Sequence, residues 1–130
     1  MIVVDASVLV DLLLRLDDAP ALTDTLLDPA RVLNAPQLID IEVAQTLRRY
    51  VINGELPSAR GRAALDDLAD LPLERYAHTL LLPRIWDYRG NLTAYDATYL
   101  ALADALDCPV WTRDARFAKA PPAIGRVQLI

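Results

Sequence analysis

The chain has 130 residues, 18 acids against 13 bases for a formal net charge of −5, and 54% hydrophobic residues. This is the length of one domain able to bury roughly two thirds of its unfolded surface, and the composition excludes a disordered or collagen-like chain. The longest uncharged stretches, residues 32–39 and 76–83, are eight residues each, far short of the ~20 that a membrane-spanning helix needs.

From the N-terminus, residues 1–4 form a short β-branched run that predicts a buried parallel strand, followed at once by a helix through Leu16. A second helix is expected over residues 21–27 and a strand over 31–34. Pro36 then stands in the favoured first turn of a long helix reaching Ile52, which Asn53 and Gly54 end. Pro57 opens a helix to about Ala69, and residues 73–76 supply a strand. Residues 78–89 read as helical up to Gly90, with Pro83 kinking that helix or marking a late start. Thr93 and Asp96 have capping-box spacing at the head of a helix to Leu106. A strand over 109–112, a short helix over 115–119, a surface loop containing Pro121 and Pro122, and a strand over 127–130 complete the chain. Strands alternating with helices point to a single α/β domain over residues 1–130: a three-layer α/β/α arrangement around a central parallel sheet of four to five strands.

The N-terminus carries no basic leader and has Asp5 and Asp11 within its apolar run, so a mature cytoplasmic protein is expected. Cys108, the sole cysteine, reads as a small core residue, and His78, the sole histidine, as a structural one. The net charge has the wrong sign for binding nucleic acid by bulk attraction, so a phosphate ligand would need local cations. Twelve of the 13 bases are arginine, whose planar fork suits phosphate.

In an open parallel sheet, ligands bind at the carboxyl ends of the strands, where the following helices begin. Asp5 ends the first strand, Asp114 lies two residues beyond the strand that closes at Thr112, Asp96 sits in the first turn of its helix, and Glu42 lies within two turns of its helix start. All four fall on one edge. Converging carboxylates repel unless a hard divalent cation neutralises them, and oxygen ligands suit Mg2+ or Mn2+. One or two such ions could drive phosphodiester hydrolysis. Singly, each acid also has a plain structural role: Asp5 as a cap, Asp96 as partner of Thr93, Asp114 as a turn residue, and Glu42 as a solvated side chain. Asp40 is a rival to Glu42, though a helical wheel turns Asp40 toward an apolar stripe and puts Glu42 with Gln45, Thr46 and Arg49. The stripe Tyr99, Leu100, Ala103, Leu106 reads as core.

Val3-Val4-Asp5-Ala6-Ser7-Val8, Ala35-Pro36-Gln37-Leu38 leading to Glu42, Leu92-Thr93-Ala94-Tyr95-Asp96-Ala97, and Trp111-Thr112-Arg113-Asp114 together resemble the PIN-domain ribonucleases, most closely the VapC-type toxin branch. The resemblance implies a Mg2+- or Mn2+-dependent endoribonuclease, with Asp5, Glu42, Asp96 and Asp114 as metal-binding acids and Ser7 and Thr112 as supporting hydroxyls. It further implies an RNA substrate and a cognate VapB-type antitoxin, while Arg113 and Arg116 beside Asp114 are candidates for RNA phosphate contact. A mean hydropathy of +0.21 suggests apolar surface beyond the chain's own core, as a homodimer and an antitoxin would use. The helices around residues 8–16 and 59–68 are candidates for the antitoxin groove. A PIN-shaped binding module without catalysis is the first alternative. A receiver-type phosphoacceptor is the second, weakened because Asp5 stands alone after the first strand and the sole lysine, Lys119, precedes a proline loop.

Overall fold

The computed structural model describes residues 1–15 and 19–130. Its elements run β1 (Ile2–Val4), α1 (Ala6–Leu14), α2 (Ala19–Leu26), β2 (Leu33–Pro36), α3 (Leu38–Ile52), α4 (Ser58–Asp70), β3 (Leu73–Tyr76), α5 (Leu82–Asp87), α6 (Ala94–Leu106), β4 (Val110–Thr112), α7 (Ala115–Lys119) and β5 (Val127–Leu129), with single 3-10 turns at Thr79–Leu81 and Pro121–Ala123. The five strands form one sheet in the order β3-β2-β1-β4-β5, and every pairing is parallel.

That order fixes the layers. The chain steps one way from β1 to β2 to β3, then returns past both to place β4 on the far side of β1. Right-handed crossovers put the helices of the outward steps on one face and those of the return on the other. Packing agrees: α1 lies against α2, α3 and α4, whereas α6 lies across β1, β2 and β4 with α5 beside it. The sheet between them is dry, with Val3, Val4, Ala35 and Val110 fully buried under Val8, Leu9, Ile39 and Val43 on one side and Leu100 and Ala103 on the other. Gly61 of α4 lets α3 come close, since a Cβ there would meet Val51 Cγ2 at 3.2 Å.

Several expected boundaries move for identifiable reasons. Pro36 closes β2 instead of opening the next helix: it pairs with Tyr76, and the Gln37 amide donates to Tyr76 O at 2.8 Å. By strand alternation the missing N–H of Pro36 then faces the level where β1 has already ended, so no ladder bond is lost. The first helix ends at Leu14, capped by Arg15 in the left-handed region (φ 53°), and the expected end at Leu16 lies outside the described residues. Pro83 marks a late start, at the head of α5 after the 3-10 turn.

One buried polar side chain stitches three strands. Asn34 is fully buried in β2; its amide donates to Ile2 O and Val32 O, both at 3.1 Å, and its carbonyl accepts from the Tyr76 hydroxyl at 3.0 Å. Asn34→Ala should therefore cost about 2–3 kcal/mol by stranding those groups. Urea unfolding would measure it, and a loss under about 0.5 kcal/mol, the scale of ordinary surface changes, would contradict the assignment.

Candidate metal centre

The reversal in strand order falls between β1 and β4, so the carboxyl ends of these neighbours border a crevice. Asp5 leaves β1 there and caps α1, its Oδ1 accepting from the Val8 amide at 3.2 Å. The capping and ligand readings of this residue are compatible, because the cap occupies one acceptor position only. Ser7 Oγ donates to Oδ1 and Thr112 Oγ1 to Oδ2, each at 2.5 Å. Each hydroxyl also accepts a backbone amide from the loop after β4: Arg113 N to Ser7 at 2.9 Å, and Asp114 N to Thr112 at 2.9 Å. With a lone pair taken by an amide, both hydroxyl protons are committed to Asp5. The carboxylate is held as an acceptor by both hydroxyls and by backbone amides at the start of α1.

The other acids come from three more elements. Thr93 caps α6, its hydroxyl accepting from the Asp96 amide at 3.1 Å, which sets Asp96 in the first turn. Asp114 caps α7 and accepts from the Arg116 amide at 2.8 Å. Glu42 projects from α3. All four line one concavity of about 430 Å³, together with Asp11, Thr46, Arg49, Tyr99 and Arg113. Asp40 does not belong to it: Arg75 of β3 grips Asp40 with Nε 2.9 Å from Oδ2 and 3.0 Å from Oδ1.

Burial disfavours the charged form of three of these carboxylates, and repulsion between them adds to it for two. Burial pushes Asp5 above the usual carboxylate range against the pull of its hydroxyl and amide donors. Burial likewise raises Asp96, with the charges of Asp114 and Asp5 adding to it. Glu42 is raised by burial, then by Asp96 and Asp5, while the neighbouring Tyr99 phenol favours its ionised form. Even so, Glu42 Oε1 and Tyr99 Oη are both buried without a hydrogen bond of normal geometry. Buried carboxylate oxygens gathered in one concavity, with Asp96 and Asp5 raising Glu42 and Asp114 and Asp5 raising Asp96, fit a hard divalent cation. Among the described residues no three acidic, histidine or cysteine side chains are gathered into a ready-made cage, a spacing that unneutralised like charges favour.

Three residues of this concavity escape a reading of the sequence. Tyr99 reads as core and is 1% exposed, yet its hydroxyl end reaches the crevice. Asp11 forms an ion pair with Arg113, which also donates to Ile130 O at 3.1 Å; the available signal was Ser7 and Asp11, four apart on one face of an apolar helix. Arg49 shares the face of Glu42, two turns on. Arg116 is almost fully exposed, with Nε 4.0 Å from Asp114 Oδ1.

The raised carboxylates have a consequence for stability. Because their folded values lie above the unfolded ones, the folded state holds more protons, starting near pH 4 and ending at those raised values. Stability of cation-free protein should fall as pH rises through that window. Thermal melts in EDTA from pH 4.5 to 7 would read this as a declining Tm, with a shallower decline in Glu42→Gln; a Tm contribution from these groups that rises over the interval would contradict it.

Comparison with known proteins agrees with this architecture. The chain matches the PIN domain family over residues 2–121. It is 42% identical over 129 residues to Ribonuclease VapC1 of Mycobacterium tuberculosis, spanning 98% of this chain and 96% of that protein, and 43% identical over 118 residues to Ribonuclease VapC9 of the same organism, spanning 91% and 89%. A protein of known structure from Pyrobaculum aerophilum superposes with a TM-score of 0.72 at 22% identity, over 97% of this chain and 81% of that one. VapBC2 from Rickettsia felis, solved bound to a DNA fragment from their promoter, superposes with a TM-score of 0.71 at 14% identity, over 99% and 98%. The family match over residues 2–121 and 42–43% identity across nine tenths or more of the chain show the family: the chain belongs to the PIN-domain family, in its VapC branch.

Proposed function

We propose that this chain is a divalent-cation-dependent endoribonuclease, the toxin of a toxin-antitoxin pair, acting through the crevice at the β1–β4 edge. The observation that carries this reading is the Asp5 carboxylate, fixed by two hydroxyls whose protons have nowhere else to go, in a concavity where Glu42, Asp96 and Asp114 also open. Identity to two proteins named ribonucleases over at least nine tenths of this chain supports the activity.

Asp5 and Asp96 would hold the principal Mg2+ or Mn2+, with Glu42 and Asp114 completing the site. Such an ion, when bound, supplies charge neutralisation and water activation for phosphodiester hydrolysis. Ser7 and Thr112 keep Asp5 from rotating, and through their bonds to the Arg113 and Asp114 amides they tie its position to that of Asp114. The buried Tyr99 wall limits access on the α6 side. Of the two arginines flanking Asp114, Arg116 is the one extended into solvent, where it can meet RNA phosphate, while Arg113 is engaged by Asp11.

An antitoxin of VapB type is the proposed partner. Its groove is proposed along α1 and α4, where Leu14 and Leu56 border a hollow of about 310 Å³ and Arg60 ties the helices through Leu13 O at 2.6 Å. A homodimer would cover part of the exposed apolar surface at Leu80, Leu82 and Trp86. No described helix is long and apolar enough to cross a membrane.

Purified protein incubated with end-labelled tRNA and ribosomal RNA fragments should give discrete cuts with Mn2+ and none with EDTA. Asp96→Asn should lower the rate by at least about a hundredfold, the scale on which loss of a charge-stabilising group slows an enzyme. Cutting that survives EDTA or the substitution would sink the proposal.

A further inference from the structure

An RNA backbone entering this crevice meets five carboxylates, those of Asp5, Asp11, Glu42, Asp96 and Asp114, on a chain that is already net negative. A metal ion offsets part of that charge at the scissile phosphate, but the neighbouring phosphates need cations of their own. Two guanidiniums line the concavity, Arg49 and Arg113. Arg113 is committed: Asp11 holds it in an ion pair, and it donates to Ile130 O. Arg49 has no carboxylate partner among the described residues. Its only side-chain polar contact there is a long one, 3.5 Å from Nη2 to Thr46 Oγ1.

The position of Arg49 follows from helix geometry. Glu42, Thr46 and Arg49 share one face of α3 at spacings of four and three residues. The seven residues from Glu42 to Arg49 cover about 10 Å of axis. Helical side chains lean toward the N-terminus, which carries the guanidinium back over Thr46 toward Glu42, as the Thr46 contact records. Thr46 in turn donates to Glu42 O at 3.1 Å, so its hydroxyl proton is spent and it meets Arg49 as an acceptor.

We infer that Arg49 is the substrate-positioning residue on the α3 wall, binding the RNA phosphate next to the one cut at the carboxylates. The inference rests on the ribonuclease reading above and deepens it: the phosphate beside the scissile one lies over the α3 wall, where Arg49 lines the concavity with Glu42. An ordinary structural role for Arg49 would be to complement the C-terminal end of the α3 dipole, where it lies in the last turn, and that role would show in stability and not in RNA affinity.

The test uses the intact protein with Mn2+ and a labelled RNA that it cuts, comparing Arg49→Met, Arg49→Lys and, as a control on the adjacent exposed position, Arg48→Met. Arg49→Met should raise KM by about tenfold, the size of one charge-assisted contact, while kcat stays within about twofold. The slope of log kcat/KM against log salt should lose about 0.7 to 0.9, one released counterion. Arg49→Lys should keep the salt slope, and Arg48→Met should match wild type. Mn2+ affinity, measured calorimetrically without RNA, should be the same in Arg49→Met and wild type. An unchanged KM and salt slope in Arg49→Met overturns the assignment while leaving the ribonuclease reading standing, and so does a Mn2+ affinity that falls in step with KM. A wild type that cuts no RNA with Mn2+ overturns both.

Discussion

Burying a carboxylate is costly unless its oxygens are hydrogen-bonded or neutralised, and Asp5, at 7% exposure, is the group around which this molecule's edge is built. Its solution is local and cooperative. Ser7, the second residue of α1, and Thr112, the last residue of the adjacent strand, each pass a backbone amide's hydrogen bond through a hydroxyl onto the carboxylate. Thus β1, α1, β4 and the loop that carries Asp114 share a single polar junction. Removing either hydroxyl would leave both an amide and a carboxylate oxygen short of a partner.

The topology then determines what Asp5 faces. Because the chain reverses direction after β3, α6 returns across the opposite face of the sheet and presents its N-terminus at the same edge. Asp96 sits in that first turn, where a carboxylate is favoured by the helix dipole. Asp114 arrives on the neighbouring strand's exit and Glu42 on the helix that follows β2. Four elements distant in sequence therefore deliver carboxylates to one crevice, where burial raises the proton affinities of Asp5, Glu42 and Asp96 and, for Glu42 and Asp96, neighbouring carboxylates add to it.

Much of this is legible in the sequence, because short apolar strands alternating with helices along one chain allow few topologies. The edge positions of Asp5, Asp96 and Asp114 come from counting residues past a strand or into a helix, which local sequence does well. What depends on packing between distant elements was not legible. Nothing near Asp40 announces that Arg75, 35 residues away, will engage it. Tyr99 fits an apolar stripe so well that its hydroxyl end is invisible to periodicity, and Pro36 looks like a helix opener until its neighbour Gln37 is seen paired with β3. Local sequence likewise gives no sign that Arg113, beside Asp114, forms an ion pair with Asp11 of α1.

The hydroxyl-held Asp5 carboxylate is proposed as the anchor of a divalent-cation site. Calorimetric titration of Mn2+ into wild-type protein and Thr112→Val tests it without any assumption about substrate. Wild type should bind Mn2+, and removing the Thr112 hydroxyl should lower the affinity by about 10- to 100-fold, the usual scale for a residue that orients a metal ligand, with the fold intact by circular dichroism. No Mn2+ binding by wild type, or equal affinity in a folded Thr112→Val, would contradict it.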